Sequence, residues 1–147
     1  MVNVFLVLGD TRFALEFESQ LQARNELVFR IPNPVNFDIK AYNSLGQEFT
    51  VIWANGSSRS DETKFTEYKK EFLDFLVLTD ALDGRIRHLY ISSGGALYAP
   101  TVHPVSEDAV SSPRTAYALN KLFEENEIKG SCHNVDSFNI FRIANAF

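Results

Sequence analysis

The chain has 147 residues, of which 45% are hydrophobic, enough for one domain with its own core. Its net charge of −5 argues against a nucleic-acid or anionic-membrane surface. The longest apolar run, residues 4–8, is too short to span a bilayer, and no basic region precedes it, so we expect no signal peptide. A single cysteine, Cys132, excludes an internal disulfide and suits a cytoplasmic protein. Three scattered histidines lack metal-ligand spacing, so we expect no metal site.

Short apolar segments alternate with helical patterns from one end of the chain to the other. The segments that resemble buried strands are residues 2–8, 26–31, 49–54, 86–91 and 137–143. Helical spacing covers residues 13–21, 40–45 and 64–82, and a further helix is predicted to open at Pro113, capped by Ser111 or Ser112. The alternation predicts one doubly wound, parallel α/β sheet of about six to seven strands with helices on both faces.

Small and polar residues follow the predicted strands. Gly9, residues 54–56, residues 92–95 and Asn145 all fall at strand carboxyl ends. In open parallel sheets ligands bind beyond those ends, near the point where the strand order reverses. We therefore expect the functional site at this edge.

The helix after the last loop carries Tyr117, Lys121 and Glu125 at intervals of four residues. Residues four apart project from one face of a helix, so the phenol and the ammonium are neighbours. A cation close to a phenol favours its phenolate and suits it to proton transfer. The same spacing also occurs by chance in many helices.

Four motifs in order extend this pattern across the chain: YISSGGALY at residues 90–98, PVSE at 104–107, PRTAYALNK at 113–121 and RIANAF at 142–147. Together they resemble the nucleotide-binding half of an extended short-chain dehydrogenase/reductase, the NAD-dependent epimerase/dehydratase family that acts on nucleotide sugars. The resemblance implies a single Rossmann-like NAD(P)-binding domain over residues 1–147, without the family's carboxyl-terminal substrate domain.

The resemblance also implies roles for individual residues. Tyr117 would be the general acid/base for a sugar hydroxyl, and Lys121 would hold the cofactor ribose and assist the phenol. Further cofactor-binding residues would be Gly9, Thr11, Arg12, Asp38, Ile39, Ala54 and Asn55. Ser93 would supply a catalytic hydroxyl, and Ser92 and Asn145 would face the substrate. Simpler interpretations are a helix cap for Asp38, a turn residue for Asn145 and a packed strand end for Ala54.

The sequence departs from the family pattern in its phosphate loop and its third catalytic position. Where the family has three glycines spaced three apart, this chain has Gly9, Arg12 and Leu15. Arg12 either adds charge beside a phosphate or, as a solvent-facing residue, caps a closed pocket. The expected third hydroxyl falls at Gly94 or Ala96, so only the neighbouring serines are available to replace it.

The end of the second strand carries Arg30 in place of the acidic residue that pairs with the NAD ribose. An arginine there either favours NADP or is an ordinary surface residue. The family's dimer contact would use the Tyr117 helix and the 64–82 helix, which carry Phe72, Phe75, Leu76, Leu122 and Phe123. These residues form either a homodimer face or the core.

Two hypotheses follow. In the first, the protein is an NAD(P)-dependent oxidoreductase or isomerase of a nucleotide sugar, with cofactor binding weakened by the altered loop. In the second, it is a catalytically silent Rossmann module that serves as a partner-binding or regulatory subunit.

Overall fold

A computed structural model describes residues 2–55, 64–99, 101–131 and 135–143. Its strands are β1 (Asn3–Leu8), β2 (Leu27–Ile31), β3 (Glu48–Trp53), β4 (Arg85–Ser93) and β5 (Val135–Ile143). Its helices are α1 (Arg12–Ala23), α2 (Ile39–Leu45), α3 (Phe65–Asp80), α4 (Gly94–Leu97) and α5 (Ala116–Gly130). Apart from α5, for which only the start was predicted, and the short helix α4, these bounds lie within two residues of those expected from the sequence. Asn145 and Cys132 lie outside the described residues.

The five strands form one parallel sheet in the order β2-β1-β3-β4-β5. The chain moves outward from β1 first to β2 and then to β3 on the opposite side, so the strand order reverses between β1 and β3. The predicted doubly wound parallel sheet is therefore confirmed. Five strands are present in the described ranges, fewer than the six to seven expected. The stretch between β2 and α2 forms a 3₁₀ turn, Pro34–Asn36, opened by Pro34.

Helices cover both faces of the sheet. On one face, α2, α3 and α5 bury a core that includes Trp53, Phe72, Phe75 and Ile128. On the other face, α1 packs on a smaller core through Ala14. Phe72, Phe75 and Leu76 of α3 are buried within the chain, so these three side chains belong to the core and not to a dimer face.

The helix that carries Tyr117 begins later than predicted. Its first residue is Ala116, and the Thr115 hydroxyl caps it by accepting from the Ala118 amide at 3.1 Å. Pro113 therefore lies before the helix, and the predicted serine caps are wrong. Threonine in an extended conformation at residue 115 satisfies a free amide of the first turn, which a proline two residues earlier cannot do.

In the described ranges, no helix has the length and apolar content needed to cross a bilayer. The same ranges contain no cluster of three or more histidine, cysteine or carboxylate side chains suited to a metal ion.

His88 of β4 is a fully buried histidine in the core beneath α3. The indole Nε1 of Trp53 donates to its Nδ1 at 2.8 Å, which fixes Nδ1 as the acceptor of a neutral ring. Burial lowers the pKa of His88 from 6.5 to about 4.

We predict that His88 makes the fold sensitive to acid. In the unfolded chain His88 is protonated below pH 6.5, whereas in the folded chain its pKa of about 4 keeps it neutral down to that pH. The free energy of unfolding therefore falls by roughly 3 kcal/mol as the pH decreases from 6.5 to 4, and is unaffected by the protonation of His88 above pH 6.5. Urea unfolding at several pH values should show a shallower dependence over this interval for His88→Gln. His103→Gln, at an exposed position, is the control, and equal slopes for the wild type and His88→Gln would contradict the prediction.

Candidate functional site

The carboxyl edge of the sheet brings together most of the predicted site residues. Gly9 follows β1, Ala54 and Asn55 follow β3, and Ser93 ends β4. Helix α5 leads from the edge after β4 back to the start of the parallel strand β5, so its amino-terminal turn, with Tyr117, lies at the same edge. The parallel topology thus places the turn after β1 at the same edge of the sheet as the Tyr117–Lys121 pair, which we call the dyad.

The turn after β1 is packed tightly against the end of β3. Gly9 has a φ of +114°, and a Cβ there would lie 2.7 Å from the Asn55 Cα and 2.9 Å from the Ala54 carbonyl oxygen. The Thr11 hydroxyl donates to the same Ala54 carbonyl and accepts from the Ala14 amide at 3.2 Å, so it also caps α1. Gly9 is therefore required by backbone conformation and by close approach.

The two residues that replace family glycines do not obstruct the packing of α1. Leu15 is 49% exposed and Arg12 is also exposed, whereas Ala14 is fully buried against Val7 and Ala54. A small residue thus lies where helix and sheet meet closely, one position before the expected glycine. This is the contact that a third glycine otherwise permits.

Asn55 supplies a polar group at the strand edge. Its side chain is 6% exposed, and its Oδ1 has no hydrogen-bond partner among the described residues. A buried acceptor without a donor destabilises the fold, so such a group calls for an explanation such as a bound water or a ligand. The site therefore fits a ligand that presents an N–H or O–H group beside Gly9.

We predict that Gly9→Ala destabilises the fold by about 2 kcal/mol or more, because the methyl group clashes with rigid backbone at a positive φ. Thermal unfolding followed by circular dichroism measures the loss. Gly95→Ala is the matched control, since nothing lies within 4 Å of an added Cβ there. Equal melting temperatures for the two variants would show that the turn tolerates a side chain.

Tyr117 and Lys121 do lie together on α5. The Lys121 Nζ is 5.8 Å from the centre of the Tyr117 ring and 5.1 Å from the centre of the Tyr90 ring on β4. Lys121 is only 7% exposed, whereas Tyr117 is half-buried. The geometry therefore offers a reachable phenol with an ammonium held behind it.

Glu124 is a neighbour of this pair that we did not identify from the sequence. Its Oε2 lies 3.5 Å from the Lys121 Nζ and accepts a hydrogen bond from the Tyr90 hydroxyl, and its Oε1 accepts from Asn120 Nδ2 at 3.1 Å. The pKa of Tyr90 is raised, first by burial and then by the Glu124 carboxylate. The available signal was the spacing of three residues after Lys121, which allows an ion pair on one helix face.

Glu125, which follows Tyr117 and Lys121 at the same four-residue spacing, pairs with a different residue. Arg142 of β5 donates to both of its carboxylate oxygens, at 3.0 and 2.7 Å, and also to the Tyr98 hydroxyl at 2.5 Å. Burial alone would raise the pKa of Glu125, but the two hydrogen bonds and the charge of Arg142 hold it below its usual value. Glu125 thus ties α5 to β5 instead of extending the dyad.

The two serines at the end of β4 differ in their surroundings. The Ser93 hydroxyl accepts from the Ala96 amide at 3.3 Å and caps the short helix α4. Ser92 is buried beside Glu125. The Ser93 hydroxyl is therefore used in a local cap, whereas the Ser92 hydroxyl has no hydrogen-bond partner among the described residues.

Asp38 and Arg30 also make contacts within the chain. Asp38 is exposed and caps α2 by accepting from the Ala41 amide at 3.0 Å. Arg30 pairs with Asp10 at 2.6 Å and with Glu18 at 2.8 Å. Two carboxylates thus surround the arginine that the sequence suggested as an NADP-selecting residue.

A cavity of about 920 Å³ lies beside β5, next to Arg142 and not at the dyad. Its walls combine charged and apolar side chains, among them Tyr98, Glu107, Lys129, Phe138, Phe141 and Arg142.

No protein-family model and no curated protein matches the chain. Solved structures do match. One is a short-chain dehydrogenase/reductase superfamily protein from Agrobacterium tumefaciens with bound NAD, with a TM-score of 0.73 and 19% identity over 95% of this chain and 48% of that one. Another is UDP-glucose 4-epimerase from Thermotoga maritima with UDP-glucose, with a TM-score of 0.68 and 15% identity over 96% and 55%.

A third similar structure is RMD from Pseudomonas aeruginosa complexed with NADPH, with a TM-score of 0.65 and 21% identity over 97% of this chain and 54% of that one. The chain spans about half the length of each of these structures. At this level of identity the comparison concerns the fold. The chain has the Rossmann fold of short-chain dehydrogenase/reductase and nucleotide-sugar epimerase structures.

Proposed function

We propose that this chain is the dinucleotide-binding part of an NAD(P)-dependent oxidoreductase or isomerase of the nucleotide-sugar epimerase/dehydratase type. The observation that carries the proposal is the Tyr117 phenol at the carboxyl edge of the sheet, with the Lys121 ammonium 5.8 Å from its ring. The fold supports it because its solved neighbours include proteins with bound NAD, NADPH and UDP-glucose.

The residues at the edge suit a dinucleotide. The amino terminus of α1 and the backbone of the Gly9 turn would meet the pyrophosphate, since helix amino termini attract anions. The unpartnered Asn55 oxygen would accept from the ligand, and Asp38 and Ile39 would lie toward the adenine. Lys121 would hold the ribose hydroxyls. The nicotinamide ring, when bound, supplies the hydride acceptor or donor.

Tyr117 would transfer the proton of a sugar hydroxyl as the general acid/base. Its half-buried position leaves the phenol within reach of a substrate, with the Lys121 ammonium 5.8 Å from the centre of its ring. Ser92, Ser93 and Asn145 would contact the sugar side. The rest of the substrate site would come from residues beyond this domain, because the solved structures are about twice as long.

We predict that the chain binds NAD(H) or NADP(H) in calorimetric titrations, and that Tyr117→Phe leaves this binding unchanged. Any turnover of a nucleotide sugar should fall at least about 10²-fold in Tyr117→Phe, since the acid/base is lost. Tyr68→Phe is the control, because it removes a phenol hydroxyl from a different helix, α3. The absence of binding at millimolar dinucleotide would overturn the proposal.

A second candidate, a catalytically silent Rossmann module that binds a partner, is favoured by two contacts. Lys121 is paired with Glu124, and the Ser93 hydroxyl caps α4. In this case the domain would keep its fold and lose the chemistry. The turnover measurement decides between the two, because turnover that depends on Tyr117 excludes a silent module.

We further propose a homodimer formed through the outer faces of α3 and α5. Leu73 and Val77 of α3 and Leu119 of α5 are exposed at 38%, 70% and 57%. We predict a dimer in light scattering and a monomer for Val77→Asp, because a charge there would be desolvated on association. Val35→Asp, at an exposed site outside both helices, is the control. A monomeric wild type would refute this arrangement.

A further inference from the structure

Lys121 and Glu124 form an ion pair almost entirely removed from water. Lys121 is 7% exposed and Glu124 is 1% exposed, and the distance from Nζ to Oε2 is 3.5 Å. Buried charges of this kind remain charged only when partners compensate the loss of hydration. Whatever ligand Lys121 serves must therefore draw its ammonium away from a carboxylate already in contact.

Glu124 is held by more than Lys121. The Tyr90 hydroxyl of β4 donates to the oxygen that faces Lys121, and Asn120 of α5 donates to the other oxygen. From α3, the half-buried Glu71 faces the same carboxylate, and its pKa is raised by burial and by the Glu124 charge. The carboxylate is thus fixed by two hydrogen-bond donors besides Lys121, and the long, flexible Lys121 is the member of the pair that can move.

The position of the pair relates it directly to the dyad. The Lys121 Nζ is 5.1 Å from the centre of the Tyr90 ring and 5.8 Å from the centre of the Tyr117 ring. Glu124 draws this charge toward Tyr90 and the core. Tyr90 is fully buried and Tyr117 is half-buried, so the ammonium is close to one ring in the core and to one that a ligand can reach.

We propose that Glu124 is a positioning residue that retains the Lys121 ammonium in the interior, so that a dinucleotide ribose must compete with this carboxylate for it. The inference rests on the proposed dinucleotide function and adds to it a residue that lowers affinity. In this inference, dinucleotide affinity is lowered by the Lys121–Glu124 pair and not by the altered turn after β1.

Glu124→Gln should bind NAD(H) or NADP(H) about tenfold more tightly than the wild type, the effect of releasing a coupling near 1.4 kcal/mol. Glutamine keeps the shape and the acceptor for Tyr90 but removes the charge that attracts Lys121. Glu125→Gln is the matched control, because it removes the neighbouring buried carboxylate, which pairs with Arg142. Equal affinities for the wild type and Glu124→Gln would overturn the inference.

Tyr90→Phe provides a test of opposite sign. Loss of the Tyr90 hydroxyl leaves the Glu124 oxygen to Lys121 alone, so the carboxylate should hold the ammonium more firmly and dinucleotide affinity should fall about threefold. General loosening of the core would instead move both variants in the same direction. A shift of the same sign in Tyr90→Phe and Glu124→Gln would therefore refute the role of Glu124.

A measurement without ligand separates this inference from the proposed function. Reductive methylation with formaldehyde, followed by mass spectrometry of the peptide that contains Lys121, reports how readily its amine is reached. Lys121 should react several-fold faster in Glu124→Gln than in the wild type or Glu125→Gln, with circular dichroism confirming the fold. If neither the wild type nor the variants bind a dinucleotide, the proposed function fails, and the methylation rates alone decide whether Glu124 holds Lys121. Unchanged rates would overturn the inference.

Discussion

The arrangement of α5 depends on one constraint, that charges removed from water need partners. The helix packs against the sheet through Asn120, Lys121, Glu124 and Glu125 as well as through apolar side chains. Apolar residues would pack at many rotations of the helix, whereas the Tyr90–Glu124 and Arg142–Glu125 hydrogen bonds require the two carboxylates to face β4 and β5. The same rotation brings the Lys121 ammonium beside the buried Tyr90 ring of β4.

The two adjacent carboxylates of α5, Glu124 and Glu125, have different partners. Glu125 binds Arg142 through two hydrogen bonds, and Arg142 reaches Tyr98, so the loop after β4, the helix and β5 are joined in one network. Glu124 turns to Lys121 and Tyr90. One glutamate therefore stabilises the frame of the site, and its neighbour controls the cation within it.

The turn after β1 shows how a departure from a family pattern need not alter the fold. Arg12 and Leu15 project outward, and Ala14 provides the close contact with the sheet. Gly9 remains, since its positive φ and its proximity to Asn55 permit no side chain. The altered positions therefore leave the backbone of this turn intact, and their effect on a ligand would come from their side chains.

The amino-acid sequence by itself determined the elements and their order. Apolar runs of strand length, alternating with helical spacing, predicted all five strands within two residues, because burial of a parallel sheet imposes that pattern locally. The spacing of Tyr117 and Lys121 predicted that they share a helix face. The start of α5 was misplaced because Pro113 and Thr115 are both plausible openings, and only the hydrogen bond to Ala118 distinguishes them.

The tertiary structure decided which partner each charged residue takes. Glu124 and Glu125 are adjacent and chemically identical, yet one pairs with Lys121 and the other with Arg142, which lies seventeen residues away in sequence. Arg30 likewise meets Asp10 and Glu18 only because β2 lies beside β1 and α1. Local patterns specify burial and periodicity, whereas charge pairing depends on distances between elements that exist only after the sheet has assembled.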